Sequence, residues 1–285
     1  MTFSTDGLVV YVDGAYVPAA EATVSIFDHG LLYGDGVFEG MRVFDGALFR
    51  PRDHIERFRR SARGIGLELP LDADALLEVV VEVVRRSKLR DAHVRPILTR
   101  GVGMPGIDPR KCGTPTLIVT AYPFPPLLGS DPLRLLVSSV VRKAPRSVGA
   151  HVKSLNYLDS VIAKLQANAA GMADAVMLDH LGAVAECTGA NLFVVENGRL
   201  ATPTTRSALP GITRRTVMEL FEVEERDIWP MELYVADAAF VTGSGAGIVE
   251  VAEFDGHRLP GSPLVAQVAE AYRAATRDPK HRVDV

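Results

Sequence analysis

Only two cysteines, Cys112 and Cys187, occur among the 285 residues. Their separation is not a metal-thiolate spacing, and a chain of this size needs no disulfide framework, so both are expected as free thiols in a reducing cytosol. Long apolar runs are missing as well. Leu76 to Val84 is interrupted by Glu78 and Glu82, and nothing reaches the roughly 18 consecutive apolar residues of a membrane span. Met1 to Val12 lacks the basic start and apolar stretch of a secretory signal. Basic blocks are absent and the net charge is only −4, which argues against nucleic acid as a partner.

What remains is ordinary globular composition, 47% apolar and 23% charged, enough for one large domain or two of common size. The pattern is mixed α/β. Asp13-Gly14 and Asp45-Gly46 sit between apolar runs and read as hairpin turns. A helix capped by Asp53 runs to Arg63 with Ile55, Phe58 and Ala62 on one face, and a second runs from Asp72 to Lys88. His93 to Thr99 and Thr116 to Tyr122, rich in β-branched residues, read as buried strands. Later come a strand at Leu133 to Val141, a helix at Leu155 to Ala170, short strands between Ala175 and Ala201, a helix opened by Gly211, a strand at Ala238 to Thr242, and a helix at Ser262 to Arg277.

The stretch Ala121-Tyr-Pro-Phe-Pro-Pro-Leu-Leu-Gly129 cannot continue a ladder or a helix through its prolines. It predicts a linker over 121–132 between an N-terminal α/β domain, 1–120, and a C-terminal domain, 133–285, that carries Lys153.

Lysine is scarce: six against 25 arginines. Lys88, Lys164 and Lys280 fall in helical or terminal contexts that suggest solvent. Lys153, in His151-Val-Lys-Ser-Leu-Asn-Tyr157, lies between a strand and a helix. Such a junction can aim an amine into a cleft, as an imine-forming lysine requires.

Lys153-x-x-Asn156-Tyr157, followed by Glu186-x-x-x-x-Asn191, resembles the signature of the class IV pyridoxal-phosphate (PLP) enzymes. That family includes branched-chain and D-amino-acid aminotransferases, (R)-selective amine transaminases and aminodeoxychorismate lyases. Asp28-His-Gly-Leu-Leu-Tyr33-Gly-Asp-Gly-Val-Phe38-Glu-Gly-Met-Arg42 is most similar to the branched-chain branch. Leu209-Pro-Gly-Ile-Thr213 and Thr242-Gly-Ser244-Gly245 resemble its two phosphate-side loops.

The resemblance implies a two-domain fold whose larger C-terminal domain is an α/β pseudo-barrel, with PLP between the domains. It also implies a homodimer, and transamination between an amino acid and a 2-oxo acid such as 2-oxoglutarate. It gives Lys153 the Schiff base, Glu186 the pyridine nitrogen and Tyr157 the phenolic oxygen. The phosphate falls to Arg57, to Gly211, Ile212 and Thr213 at a helix start, and to Ser244 and Gly245.

On the substrate side it implies Tyr33 and Phe38 as pocket walls and Arg42, Arg95 and Arg100 as candidates for the carboxylate. Arg95 stands where branched-chain enzymes carry a functional arginine, and Arg100 where D-amino-acid enzymes do, so chirality stays open at this point. His93 replaces the tyrosine common in branched-chain enzymes. Met104-Pro105 and Gly245 are further departures on the substrate side.

Overall fold

The computed structural model describes residues 4–123, 128–129 and 131–285. The chain is α/β and forms two compact units, each built on its own sheet. Among the described residues no helix is long and apolar enough to cross a membrane.

The first unit holds β1 (Val9–Val12), β2 (Ala15–Pro18), β3 (Gly36–Phe38), β4 (Met41–Phe44), β5 (Ala47–Phe49), β6 (Ala92–Thr99) and β7 (Thr116–Tyr122). It also holds helices α1 (His29–Tyr33), α2 (Pro51–Gly64) and α3 (Ala73–Arg86). The turn residues Asp13 and Asp45 adopt positive φ, as the hairpins required. β3 and β4 share one register against β6, with Phe38 opposite Ile97 and Met41 opposite Val94. The ladder lapses at Glu39, whose N–H donates to Pro96, because proline has no N–H to return.

Alternation splits this sheet. Val37, Met41, Val43, Val94, Leu98, Leu117 and Val119 pack against Ile55, Phe58, Leu76, Val80 and Val83 of α2 and α3. Phe38, Arg42, His93, Arg95, Thr120 and Tyr122 share the other face through the pairings Arg42–His93, His93–Tyr122 and Arg95–Thr120.

The second unit begins with β8 (Leu133–Val141) and α4 (Leu158–Ala169). It continues through β9 (Asp174–Leu178), β10 (Val184–Cys187), β11 (Asn191–Glu196), β12 (Arg199–Pro203), α5 (Ile212–Leu220) and β13 (Val223–Arg226). It ends with α6 (Pro230–Val235), β14 (Ala238–Gly243), β15 (Gly247–Phe254), β16 (His257–Arg258) and α7 (Pro263–Ala275). The sheet order is β10-β9-β8-β15-β14-β11-β12-β13, with β16 beside β15. Leu192 and Val194 face one core with Leu135 and Val251; Phe193 and Val195 face another with Val217, Val265 and Val268 of α5 and α7.

Four expectations need correction. Residues 152–156, with Lys153, belong to the first unit and not to the C-terminal one. Phe38 N–H donates to Lys153 O, Leu155 N–H to Gly36 O, and Ser154 bridges Val37. These bonds hold 154–156 out of the helix, so α4 starts at Leu158 instead of Leu155. Residues 276–285 also return to the first unit, where Arg282–Asp284 pairs antiparallel with β5. Finally, α2 starts at Pro51, not after Asp53, because the ring of Pro51 presets the first helical φ. The expected linker falls partly on 124–127 and 130, outside the described residues; Ala121 and Tyr122 finish β7.

Candidate active site

The first unit gathers one set of predicted residues around Phe38. The ring centroid of Phe38 lies 4.6 Å from Lys153 Nζ and 4.9 Å from Arg95 Cζ. The backbone of Lys153 is held twice: its carbonyl accepts from Phe38 N–H at 3.0 Å, and its own N–H donates to Ser61 Oγ of α2 at 3.1 Å. A lysine anchored at both backbone groups has only its side chain left to move.

Arg57 lies on the same stripe of α2 as His54 and Ser61. It does not share the solvated face of Arg59 and Arg60, which are exposed. Its Nε donates to Glu39 Oε1 at 2.6 Å and its Nη2 to Oε2 at 2.9 Å, while His54 Nδ1 lies 2.8 Å from Oε2. Burial pushes the Glu39 carboxyl up, but Arg57 and His54 outweigh it and hold the group well below the usual carboxylate range. Burial pushes the His54 imidazole down more than Glu39 raises it. A neutral ring beside a carboxylate must carry its proton on Nδ1.

His93 is buried between Tyr122, 5.6 Å away, and Gly40, where a β-carbon would stand 2.9 Å from Cε1. Its imidazole falls to about 3, chiefly through burial and then through Arg95 and Arg42. Arg95 keeps a buried Nε without a hydrogen-bond partner among the described residues. Arg42 lies over the Phe44 ring at 5.4 Å.

Two other candidates are engaged elsewhere. Arg100 donates through Nε and Nη2 to both oxygens of Asp35, and to the carbonyls of Ile65 and Gly66. Four of its five N–H groups are thereby committed to its own unit. The Tyr33 hydroxyl accepts from Gly106 N–H at 2.7 Å and its ring packs edge-on against His29. The structure therefore ties Tyr33 to the 100–112 loop.

The second unit gathers the rest. Glu186 is buried at the end of β10. Arg142 donates to its Oε1, and Leu209 N–H and Asn191 Nδ2 reach its Oε2 at 3.1 and 3.4 Å. Arg142 also donates to Asp159 Oδ2 at 2.7 Å. Burial pushes the Arg142 guanidinium down, but Glu186 and Asp159 raise it further and keep it charged. Tyr157 lies under both Arg142 Cζ, at 5.8 Å, and Lys143 Nζ, at 5.3 Å.

Asn191 pairs with Thr242 across the sheet, next to the tight turn Ser244-Gly245-Ala246 between β14 and β15. Asn191 also abuts Gly211, where a β-carbon would collide with its Oδ1. Gly211 opens α5 without a side-chain cap, ahead of the buried Ile212 and Thr213. Thr242 Oγ1 is buried with no hydrogen-bond partner among the described residues. An uncapped helix start next to an unsatisfied hydroxyl fits a phosphate.

Sequence reasoning missed Glu39, His54, Arg142 and Asp159. Glu39 is part of a quoted motif, but only its place opposite Pro96 sends it toward α2. Arg142 is marked only as the charge that ends an apolar run.

A family model described as Amino-transferase class IV matches residues 36–254. A protein of Methanocaldococcus jannaschii, whose name assigns it provisionally as a branched-chain-amino-acid aminotransferase, is 46% identical over 275 residues, 94% of this chain and 95% of that one. The crystal structure of the branched-chain aminotransferase from Thermoproteus uzoniensis with norvaline has a TM-score of 0.93 at 35% identity, covering 97% of this chain and 99% of that one. That of the T.th. branched-chain amino acid aminotransferase, complexed with N-(5'-phosphopyridoxyl)-L-glutamate, has a TM-score of 0.92 at 31% identity, over 99% of each chain.

The chain belongs to the class IV aminotransferases. Its cofactor is pyridoxal 5'-phosphate and its reaction is transamination.

Proposed function

We propose that this enzyme moves the amino group of L-branched-chain amino acids to a 2-oxo acid, with 2-oxoglutarate as the usual acceptor. The observation that carries the reading is the open face of the first sheet. There the apolar ring of Phe38 stands directly beside the half-buried guanidinium of Arg95, whose buried Nε has no hydrogen-bond partner among the described residues. One site must accept a greasy side chain and then a second carboxylate, and this face offers a surface for each. The matched relatives, named for branched-chain substrates and in one case carrying an L-glutamate adduct, support the same choice.

The residue roles follow from their surroundings. The bound cofactor supplies an aldehyde and an electron-accepting ring on which an amino group can be exchanged. Lys153 is the amine that holds it and then carries a proton on Nζ; the anchored backbone keeps that nitrogen in one place. Glu186, ion-paired with Arg142, would accept the ring N–H. Tyr157 donates its phenol to the ring oxygen. Arg57, the α5 start at Gly211 to Thr213, and Ser244 with Gly245 grip the phosphate. Arg95 takes the acceptor's distal carboxylate, with the paired His93 and Arg42 beside it on the same face. A cytosolic homodimer completes the proposal, the exposed Ile26, Leu31, Met104 and Ile107 supplying apolar surface for a second copy.

A donor panel tests the substrate. With 2-oxoglutarate and with pyruvate as acceptors, turnover is expected on L-leucine, L-isoleucine and L-valine. Turnover confined to D-alanine or (R)-1-phenylethylamine would sink the L-branched-chain reading, as would pyruvate release from aminodeoxychorismate without an acceptor.

A further inference from the structure

Glu39 is an anion on the wrong side of a sheet. Strand alternation points it with Val37, Met41 and Val43 into the core against α2, and none of it reaches solvent. An unpaired carboxylate there would be strongly disfavoured. Instead both oxygens are occupied: Oε1 by Arg57 Nε, and Oε2 by Arg57 Nη2, His54 Nδ1 and Gly40 N–H at 3.1 Å. Two parallel N–H···O bonds fix the plane of a guanidinium as well as its position. An arginine left unbraced would lose rotamer freedom on gripping an anion. The preceding residue, Phe38, is bonded to Lys153 through backbone and ring. One step of chain therefore sets both a phosphate candidate and the reactive amine.

We infer that Glu39 is a positioning residue for the cofactor's phosphate: it holds the Arg57 guanidinium in the orientation that grips the dianion. The inference rests on the proposed assignment of Arg57 to the phosphate. It makes a selective claim. Lys153, Tyr157 and Glu186 address the ring and aldehyde and owe nothing to the Glu39–Arg57 fork. Loss of Glu39 should weaken binding of the phosphorylated cofactor and leave the phosphate-free aldehyde, pyridoxal, little affected.

The test is equilibrium dialysis of the full-length enzyme, stripped of cofactor, against PLP and against pyridoxal. Wild type, Glu39→Gln, Arg57→Met and the double variant are compared. Removing a residue that orients a ligand group costs about 10–100-fold in affinity at metal sites, and a similar loss is expected here for PLP in Glu39→Gln. Pyridoxal affinity should change by less than about threefold, and the double variant should bind PLP no more weakly than Arg57→Met alone. If Glu39→Gln weakens both ligands equally, or adds its full effect to Arg57→Met, the residue only supports the fold and the inference is overturned. If Arg57→Met itself fails to separate PLP from pyridoxal, the phosphate assignment falls and takes the inference with it. Glu39→Asp, which keeps the charge but withdraws it by one methylene, serves if Glu39→Gln does not fold; the same selective loss is expected.

Discussion

Arg142 meets Glu186 with two nitrogens, Nε and Nη2, each 2.8 Å from Oε1. Both side chains are almost completely buried and Arg142 continues to Asp159, so one cation stands between two anions. Arg142→Met would take away the cation that the two carboxylates share, leaving Glu186 to Leu209 N–H and Asn191 and leaving Asp159 to Lys143. A loss of about 3–5 kcal/mol is expected in urea unfolding of the stripped enzyme. A loss below about 1 kcal/mol would show that the pair is not a structural tie.

Arg100 and Arg95 are expected to separate in kinetics. Arg100 closes a loop against Asp35 and two carbonyls, so Arg100→Met should lower the melting temperature, at a cost of about 1–3 kcal/mol, while the KM for 2-oxoglutarate stays put. Arg95→Met should do the reverse, raising that KM about tenfold or more with little change in melting. A KM effect in Arg100→Met equal to that in Arg95→Met would return Arg100 to the carboxylate site.

His93 predicts a pH dependence. Its imidazole lies at about 3 in the fold against an ordinary 6.5, so the unfolded chain binds a proton that the native state refuses. Stability is therefore full above about pH 6.5 and drains away as pH falls toward 3, at up to about 1.4 kcal/mol per pH unit. His93→Gln should flatten the decline in unfolding free energy between about pH 7 and about pH 5. Because His54 is displaced in the same direction, a smaller slope should persist in the variant. An unchanged slope would mean that His93 protonates freely in the native state.

Gly211 has an ordinary negative φ, so space and not backbone geometry demands glycine there. A methyl group would push Asn191 away from Leu209 O and Glu186. Gly211→Ala should cost about 1–3 kcal/mol by overpacking and speed cofactor release in dialysis. A variant with wild-type melting and wild-type release would show that Asn191 has room to move.

Much of the fold could be read from local chemistry. Thr116 to Tyr122 and Leu133 to Val141 are strands with the expected bounds, and α3 falls within the helix expected over Asp72 to Lys88, with Asp72 as its cap. The failures have physical causes. Short elements such as α1, β3 and α6 have too few residues for a period to emerge. The bounds of α4 were missed because bonds to β3, remote in sequence, override the helical pattern of 155–157. The motif residues could be picked out because they come with fixed spacings. Their braces could not, since Glu39 meets Arg57 across 18 positions and Arg142 meets Glu186 across 44. No spacing rule joins such pairs until the backbone is in place.

The unit that bears Lys153 is assembled from three stretches of chain, 1–124, 152–156 and 276–285. A gene cut at the proline-rich segment would yield an N-terminal piece with a nearly whole sheet and no amine to offer. It would also orphan the edge of β5, since its partner strand, Arg282–Asp284, lies far beyond the cut. Module swapping between relatives must therefore transplant the Val152–Asn156 splice and the terminal strand together with the first 124 residues, or the hybrid will be born without its chemistry.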